Sequence, residues 1–367
     1  MVKVYGCRIS YFTGKLETYL RFRSMDYECL PTAGNQRRIR AGAGAVQMPV
    51  VELEDGRWLS DSTPMIRWFE DQQDAPSIYP ETPTLRFVAL LVEDYADEWL
   101  WRPAMHYRWS YRQDRQYASG AIFDDLLKDR WIPRWLGRRF LTQRQRAGFV
   151  RGDGVTRETW DHVERGYLTV LDRLEAIFNQ RDFVLGDSPT IADIGLMGPM
   201  LRHFGQDPTP AEIMRNRAPG VCEWVARMWN ARPGPGTPSL ISGIDTALGD
   251  LLGEVGETHL AQLRENAVAY AQGAKRYDQV IQGCSYIQVP VSRYRVWCLE
   301  RLRKEWAELG EDSKSEVRAH LPGTEGAILW EESPSIVPDY DLASRAPFNL
   351  GINVFGRGVS PSWLFGK

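Results

Sequence analysis

Two proline-rich stretches constrain this chain more than any other feature. DAPSIYPETP (residues 74–83) carries Pro76, Pro80 and Pro83; ARPGPGTPS (231–239) carries Pro233, Pro235 and Pro238 with Gly234 and Gly236. Proline lacks an amide hydrogen and its ring collides with the preceding helical turn, so no helix crosses either stretch. The 367 residues therefore divide into 1–80, 84–230 and 240–367. With 43% apolar and 25% charged residues, the chain has the material for sizeable cores.

The first unit reads as small α/β. Val2, Val4 and Tyr5 suggest a strand, CRISYFT a loop, Gly14 to about Arg23 a helix, and Asp26–Leu30 a second strand. After a Gly/Ala-rich connection, PVVEL and RWLS flank the hairpin turn Asp55-Gly56. The helix TPMIRWFEDQ follows, with Ser62 as N-cap and Pro64 in its first turn. From Thr84 to about Asn230 the pattern is helical, with the run 120–150 irregular in places. There Thr190 and Asp193 have capping-box spacing before an apolar helix. In the third unit, residues 240–273 read as helical and YIQVPVSRYRVWCLERLRKEWAEL as a short strand and a helix. The closing RAPFNLGINVFGRGVSPSWLFGK reads as extended against the body.

Charge and composition remove several function classes. Forty-five basic against 48 acidic residues leave a net charge of −3, without the basic excess of a nucleic-acid footprint. No apolar run approaches the roughly 18 residues of a membrane span, and the N-terminus lacks the pattern of a secretory signal. Five widely spaced cysteines without CxxC point to reduced thiols and a cytoplasmic setting. The histidines form no HExxH, so no metal is expected.

Three local features carry possible chemistry. Ser10 stands where the first strand gives way to a helix, where backbone N–H groups attract anions and a hydroxyl can donate to sulfur or oxygen. Gln47-Met48-Pro49 precedes a strand; a cis Pro49 would leave the Met48 backbone free to pair with an extended peptide. Asp61-Ser62 precedes a helix, the serine suiting a carboxylate and the aspartate an ammonium. Each feature alone is equally an ordinary cap, or a proline opening a strand.

Together, in this order, they resemble the glutathione transferase superfamily, serine-type and bacterial-like. SYFTGKL (Ser10–Leu16) is similar to the family's loop-and-helix motif, Tyr27-Glu28 to its "YE" strand, and QMPVVELEDGRWLSDSTPMIRWF and LGDSPTIADIGL to its later segments. The resemblance covers roughly residues 1–230. It implies a thioredoxin-like α/β domain followed by an all-helical domain, here with a mostly α C-terminal extension. It further implies glutathione as cosubstrate. Ser10 would hydrogen-bond the sulfur, Met48 (with Pro49 fixing the turn) would pair with the cysteinyl backbone, Gln47 would lie nearby, and Asp61 and Ser62 would hold the γ-glutamyl end. The sequence departs from the family at Tyr11 (usually Pro), Gly14 (usually basic) and Asp61 (usually Glu or Gln). Tyr11, Tyr5 and Thr13 are therefore alternative sulfur donors.

The resemblance places a second-substrate pocket against Trp101, Met105, His106 and Trp109, for an apolar or aromatic electrophile. It implies a homodimer, with Asp97 or Asp94 where a partner's carboxylate reaches the ammonium in some classes; neither nucleic acid nor membrane is an expected partner. Two alternatives stand beside transfer chemistry: a non-catalytic binding or assembly protein using the extension, and a glutathione-dependent reductase with Cys7 near the required position.

Overall fold

The computed structural model describes residues 1–351 except 128–130, 235, 322, 324, 332–335 and 349–350. Most of the expected extended C-terminal stretch lies outside the described residues.

The first unit runs β1 (Val2–Gly6), α1 (Tyr11–Phe22), β2 (Tyr27–Pro31), α2 (Gln36–Ala43), β3 (Val50–Glu52), β4 (Trp58–Ser60) and α3 (Ser62–Glu70). The sheet order is β2-β1-β3-β4, with β1 and β2 parallel and the other pairs antiparallel. This is the expected thioredoxin-like arrangement. Helix α1 starts before Gly14 because the Ser10 hydroxyl caps it, accepting the Thr13 N–H at 3.4 Å. Helix α2 was hidden in the Gly/Ala-rich connection. QRRIRAGA is rich in good helix formers, but Ile39 is its single large apolar residue, too little for a readable periodicity, and Ile39 and Ala43 pack against Tyr5 and Val50. The cap of α3 is Asp61, not Ser62, at φ 74°.

The second unit comprises α4 (Pro83–Glu98), α5 (Trp101–Ser110), α6 (Arg112–Leu126), α7 (Arg134–Gln145), α8 (Trp160–Phe178), α9 (Ile191–Pro199), α10 (Pro208–Arg217) and α11 (Pro219–Asn230). The run expected to be helical and irregular in places holds the end of α6 and α7, with a break between them at 131–133 and a π turn over Arg146–Val150 after α7. Helix α9 is buried along its length and opens with the expected capping box. The Asp193 carboxylate accepts the Thr190 N–H at 3.0 Å, the Val184 N–H at 2.9 Å and the Trp224 indole N–H at 3.1 Å. Where α9 crosses α4, a side chain on Gly195 would come within 2.8 Å of the Glu93 Cα.

The third unit contains α12 (Thr246–Val255), α13 (Ala261–Ala271), β5 (Arg276–Ile281), β6 (Cys284–Pro290), α14 (Arg293–Ala307) and α15 (Glu311–Ala319). The hairpin turn, Gln282-Gly283, has positive φ at both residues. Strand β5 was not anticipated, although RYDQVI buries every second side chain. Helices α14 and α15 pack on α4, and α12 on α8. One apolar core runs without a break through all three units.

The first and second units share a polar knot. Lys15, fully buried, donates to Thr63 Oγ1 at 2.8 Å, to Glu93 Oε1 at 2.7 Å and to Asp97. Burial pulls its pKa down, but Asp97 and Glu93 more than offset that, so it stays charged.

Candidate functional site

Strand register decides where the three loops of interest meet. Tyr5 pairs with Val50, and Val50 with Ser60. The C-terminal ends of β1 and β4 therefore lie beside the N-terminal end of β3. The loop leading to Ser10, the Met48–Pro49 step and the Asp61–Ser62 step all emerge at this one end of the sheet.

Ser10 is half-buried, and its hydroxyl proton is donated to none of the described residues. The loop before it is fixed from two sides. The Ser10 N–H donates to the Cys7 carbonyl at 2.9 Å, and Arg108 of α5 donates to the Ile9 carbonyl at 2.7 Å. Arg108 is buried and forked onto Asp207 at 2.7 and 3.0 Å. The fold uses this arginine to hold the loop in front of α1. No local signal could have shown that, because its partners come from distant segments.

Of the other candidate donors, Tyr11 and Tyr5 are committed elsewhere, and Thr13 is buried with its hydroxyl oxygen unpartnered. Tyr11 is buried and donates to the Ala96 carbonyl of α4, and burial holds its phenol well above the usual range. Tyr5 donates to Glu52 at 2.7 Å on the face covered by α2, and burial pushes it up to about 12. Thr13 is buried against Gly6. Cys7 is buried too, and burial together with Asp125 pushes its thiol up to about 12, the opposite of an activated nucleophile.

The Met48–Pro49 peptide is cis. Gln47 and Met48 are half-buried and Pro49 is buried. Asp61 and Ser62 are only 8% and 5% exposed. The Asp61 carboxylate accepts hydrogen bonds from Tyr294 at 3.0 Å and from Tyr340, both in the third unit. Burial pushes its pKa up to about 6 against the pull of those two hydroxyls.

The four residues expected to line a second-substrate wall do not share one. Trp101 stacks on Phe12 at 5.7 Å and meets Phe149 edge-on at 5.6 Å and Tyr11 at 5.5 Å. Met105 follows one turn later. His106 instead points to α8, with Nε2 2.9 Å from Glu164 and its ring 4.5 Å from Trp160. Trp109 is buried at 1% exposure. His106 and Trp109 thus belong to the helical core, and Phe12 and Phe149, which the sequence did not single out, take their place beside Trp101. The two aspartates of α4 are also spent internally: Asp94 with His259 at 2.8 Å and Arg301 at 3.3 Å, Asp97 with Lys15. Among the described residues no group of three His, Cys, Asp or Glu is placed to hold a metal ion, and no helix is long and apolar enough to cross a membrane.

Comparison with known proteins adds the following. The family model described as Glutathione S-transferase, N-terminal domain, matches residues 9–72, and that described as Glutathione S-transferase, C-terminal domain, matches 145–233. Neither reaches the third unit. No curated protein matches the chain. Similar solved structures include the beta-etherase LigF from Sphingobium sp. strain SYK-6, at 22% identity and TM-score 0.43, covering 63% of this chain and 96% of that one. A glutathione S-transferase from Pseudomonas fluorescens is 18% identical with TM-score 0.37, covering 62% and 93%. One from Methylobacillus flagellatus KT with glutathione bound is 14% identical with TM-score 0.40, covering 64% and 100%.

Proposed function

The chain belongs to the glutathione S-transferase superfamily through its first two units, and from that premise we propose that it binds glutathione at the end of the sheet where Ser10, Met48 and Asp61–Ser62 emerge, and activates its thiol. The observation that carries this reading is the Ser10 hydroxyl at the start of α1, with a proton no described residue accepts. A thiol becomes a useful nucleophile only when ionised. The unpaired N–H groups of the first turn of α1 and the Ser10 O–H both favour the anion over the neutral thiol. Met48 would pair with the cysteinyl backbone, with Gln47 near the peptide, while Ser62 and Asp61 would anchor the γ-glutamyl carboxylate and ammonium. The thiolate attacks an electrophilic carbon of a second substrate; a C–S bond forms and the leaving group departs with its electron pair. The Phe12, Trp101 and Phe149 rings favour an apolar or aromatic electrophile. Conjugation, displacement of an ether or halide, and isomerisation all start from this thiolate. Reduction through Cys7 is disfavoured by its buried, protonated thiol.

The test is calorimetric titration with glutathione beside turnover of a halonitrobenzene, in the wild type and in Ser10→Ala. Binding is expected in both, with turnover in the variant down about 10- to 100-fold, the loss of one hydrogen bond to a charged group. Absence of binding at millimolar glutathione rejects the reading. Binding without turnover in the wild type favours the non-catalytic role instead.

A further inference from the structure

Asp61 is a buried carboxylate whose two oxygens are both taken by the third unit: Oδ1 by Tyr294 of α14 and Oδ2 by Tyr340. Among the described residues it has no ion-pair partner. The cations facing it are occupied elsewhere, Lys15 of α1 with Thr63, Glu93 and Asp97, and Arg301 of α14 with Asp94 at 3.3 Å. Glu98 of α4 and Cys298 of α14 lie behind Tyr294, and neither supplies a positive charge. The phenols are held firmly. Tyr294 and Tyr340 meet edge-on at 4.9 Å, and Trp297 stacks on Tyr294 at 5.3 Å. The following segment is tied down where the Pro347 carbonyl accepts the Ser60 N–H at 2.9 Å and Phe348 meets Trp68 edge-on at 5.5 Å.

A buried carboxylate with hydroxyl donors and no cation is incomplete as an ion pair. Each phenol supplies one proton, and each carboxylate oxygen has a second lone pair, so the two tyrosines leave the carboxylate with acceptor capacity for a further donor. We propose that Tyr294 and Tyr340 are positioning residues supplied by the C-terminal extension, orienting the Asp61 carboxylate to receive the α-ammonium of the glutathione γ-glutamyl group. The inference rests on the glutathione reading above. It gives the extension a place in the site: with Asp94 and Asp97 spent internally, the glutamyl end is completed from within one chain. Without the two hydroxyls, burial is less opposed, Asp61 keeps its proton to higher pH, and the charge that attracts the ammonium is lost.

The full-length Tyr294→Phe/Tyr340→Phe protein, with each single variant beside it, retains the rings and so the packing. Two measurements separate the possibilities. The first is glutathione affinity from pH 5 to 8, against the analogue in which glutaryl replaces γ-glutamyl and the ammonium is missing. Wild-type affinity for glutathione is expected to weaken below about pH 6. In the double variant at pH 7 it should fall about tenfold, with the midpoint moved upward and the preference over the glutaryl analogue reduced. Equal or tighter binding by the variant overturns the proposal. The second is the titration of the Asp61 carboxyl carbon by NMR, assigned with Asp61→Asn, which needs no ligand. If wild type binds neither compound, the glutathione reading fails on its own. An upward-shifted Asp61 midpoint in the variant then still supports the tyrosine coupling, and an unmoved one overturns it.

Discussion

Lys15→Met tests the knot that joins the thioredoxin-like and helical units. Methionine keeps the apolar stem and removes the charge. Lys15 is fully buried and has spent its three protons on Thr63, Glu93 and Asp97. Without it, Glu93 and Asp97 remain buried, with the Thr63 hydroxyl beside both and, among the described residues, Arg301 as the one cation near Glu93, at 3.9 Å. Removing one partner of a buried ion pair costs about 3–5 kcal/mol, a large share of a total near 5–15 kcal/mol. With a urea slope of about 3 kcal/mol/M, the unfolding midpoint should fall by about 1–1.7 M. Adding Glu93→Gln and Asp97→Asn removes the stranded charges and should recover at least half of the loss. The single variant should also become more stable as pH falls. Its stranded carboxylates bind protons more tightly folded than unfolded, so the folded state gains wherever they protonate first. A loss under about 1 kcal/mol, or a triple variant no better than the single, would refute the reasoning.

Three further outcomes follow from the packing and electrostatics. Gly195→Val forces α4 and α9 apart at a backbone contact and should cost about 2 kcal/mol or more, read as a lower thermal midpoint. Cys7, buried with a pKa near 12, should resist iodoacetamide at pH 8 in the native protein and react on unfolding; rapid native labelling seen by mass spectrometry contradicts its placement. Asp61 holds its proton to about pH 6 when folded, against 3.8 as its ordinary value. That contribution to stability is full below about pH 4 and is lost as pH rises through 6. Asp61→Asn should flatten a fall of about 3 kcal/mol over that window, measured as thermal midpoint against pH.

What the sequence made legible was what neighbours in the chain decide. Thr190 and Asp193 announced α9, and Ser10 and the Asp55-Gly56 turn marked local ends. What escaped depended on partners far along the chain. Helix α2 forms on a surface made by Tyr5 and Val50. The direction of His106 is set by Glu164 and Trp160 of α8. Arg108 finds its role only where the loop before α1 passes Asp207. The largest gap was at Asp61. Its spacing to Ser62 was readable, but nothing near it announces two tyrosines from positions 294 and 340.

That separation has a consequence for synthesis. Tyr340 lies 279 residues after the aspartate it covers, and ribosomes add about 5–20 residues per second. The first unit therefore emerges and can fold for about 15–55 seconds before its cover exists. Throughout that interval the outer backbone of β4 is an uncapped strand edge, open to pairing with any other nascent chain. Arrival of the Pro347 carbonyl at the Ser60 amide occupies one donor of that edge, so ribosome-bound chains stopped before residue 347 should aggregate more readily than released full-length chains.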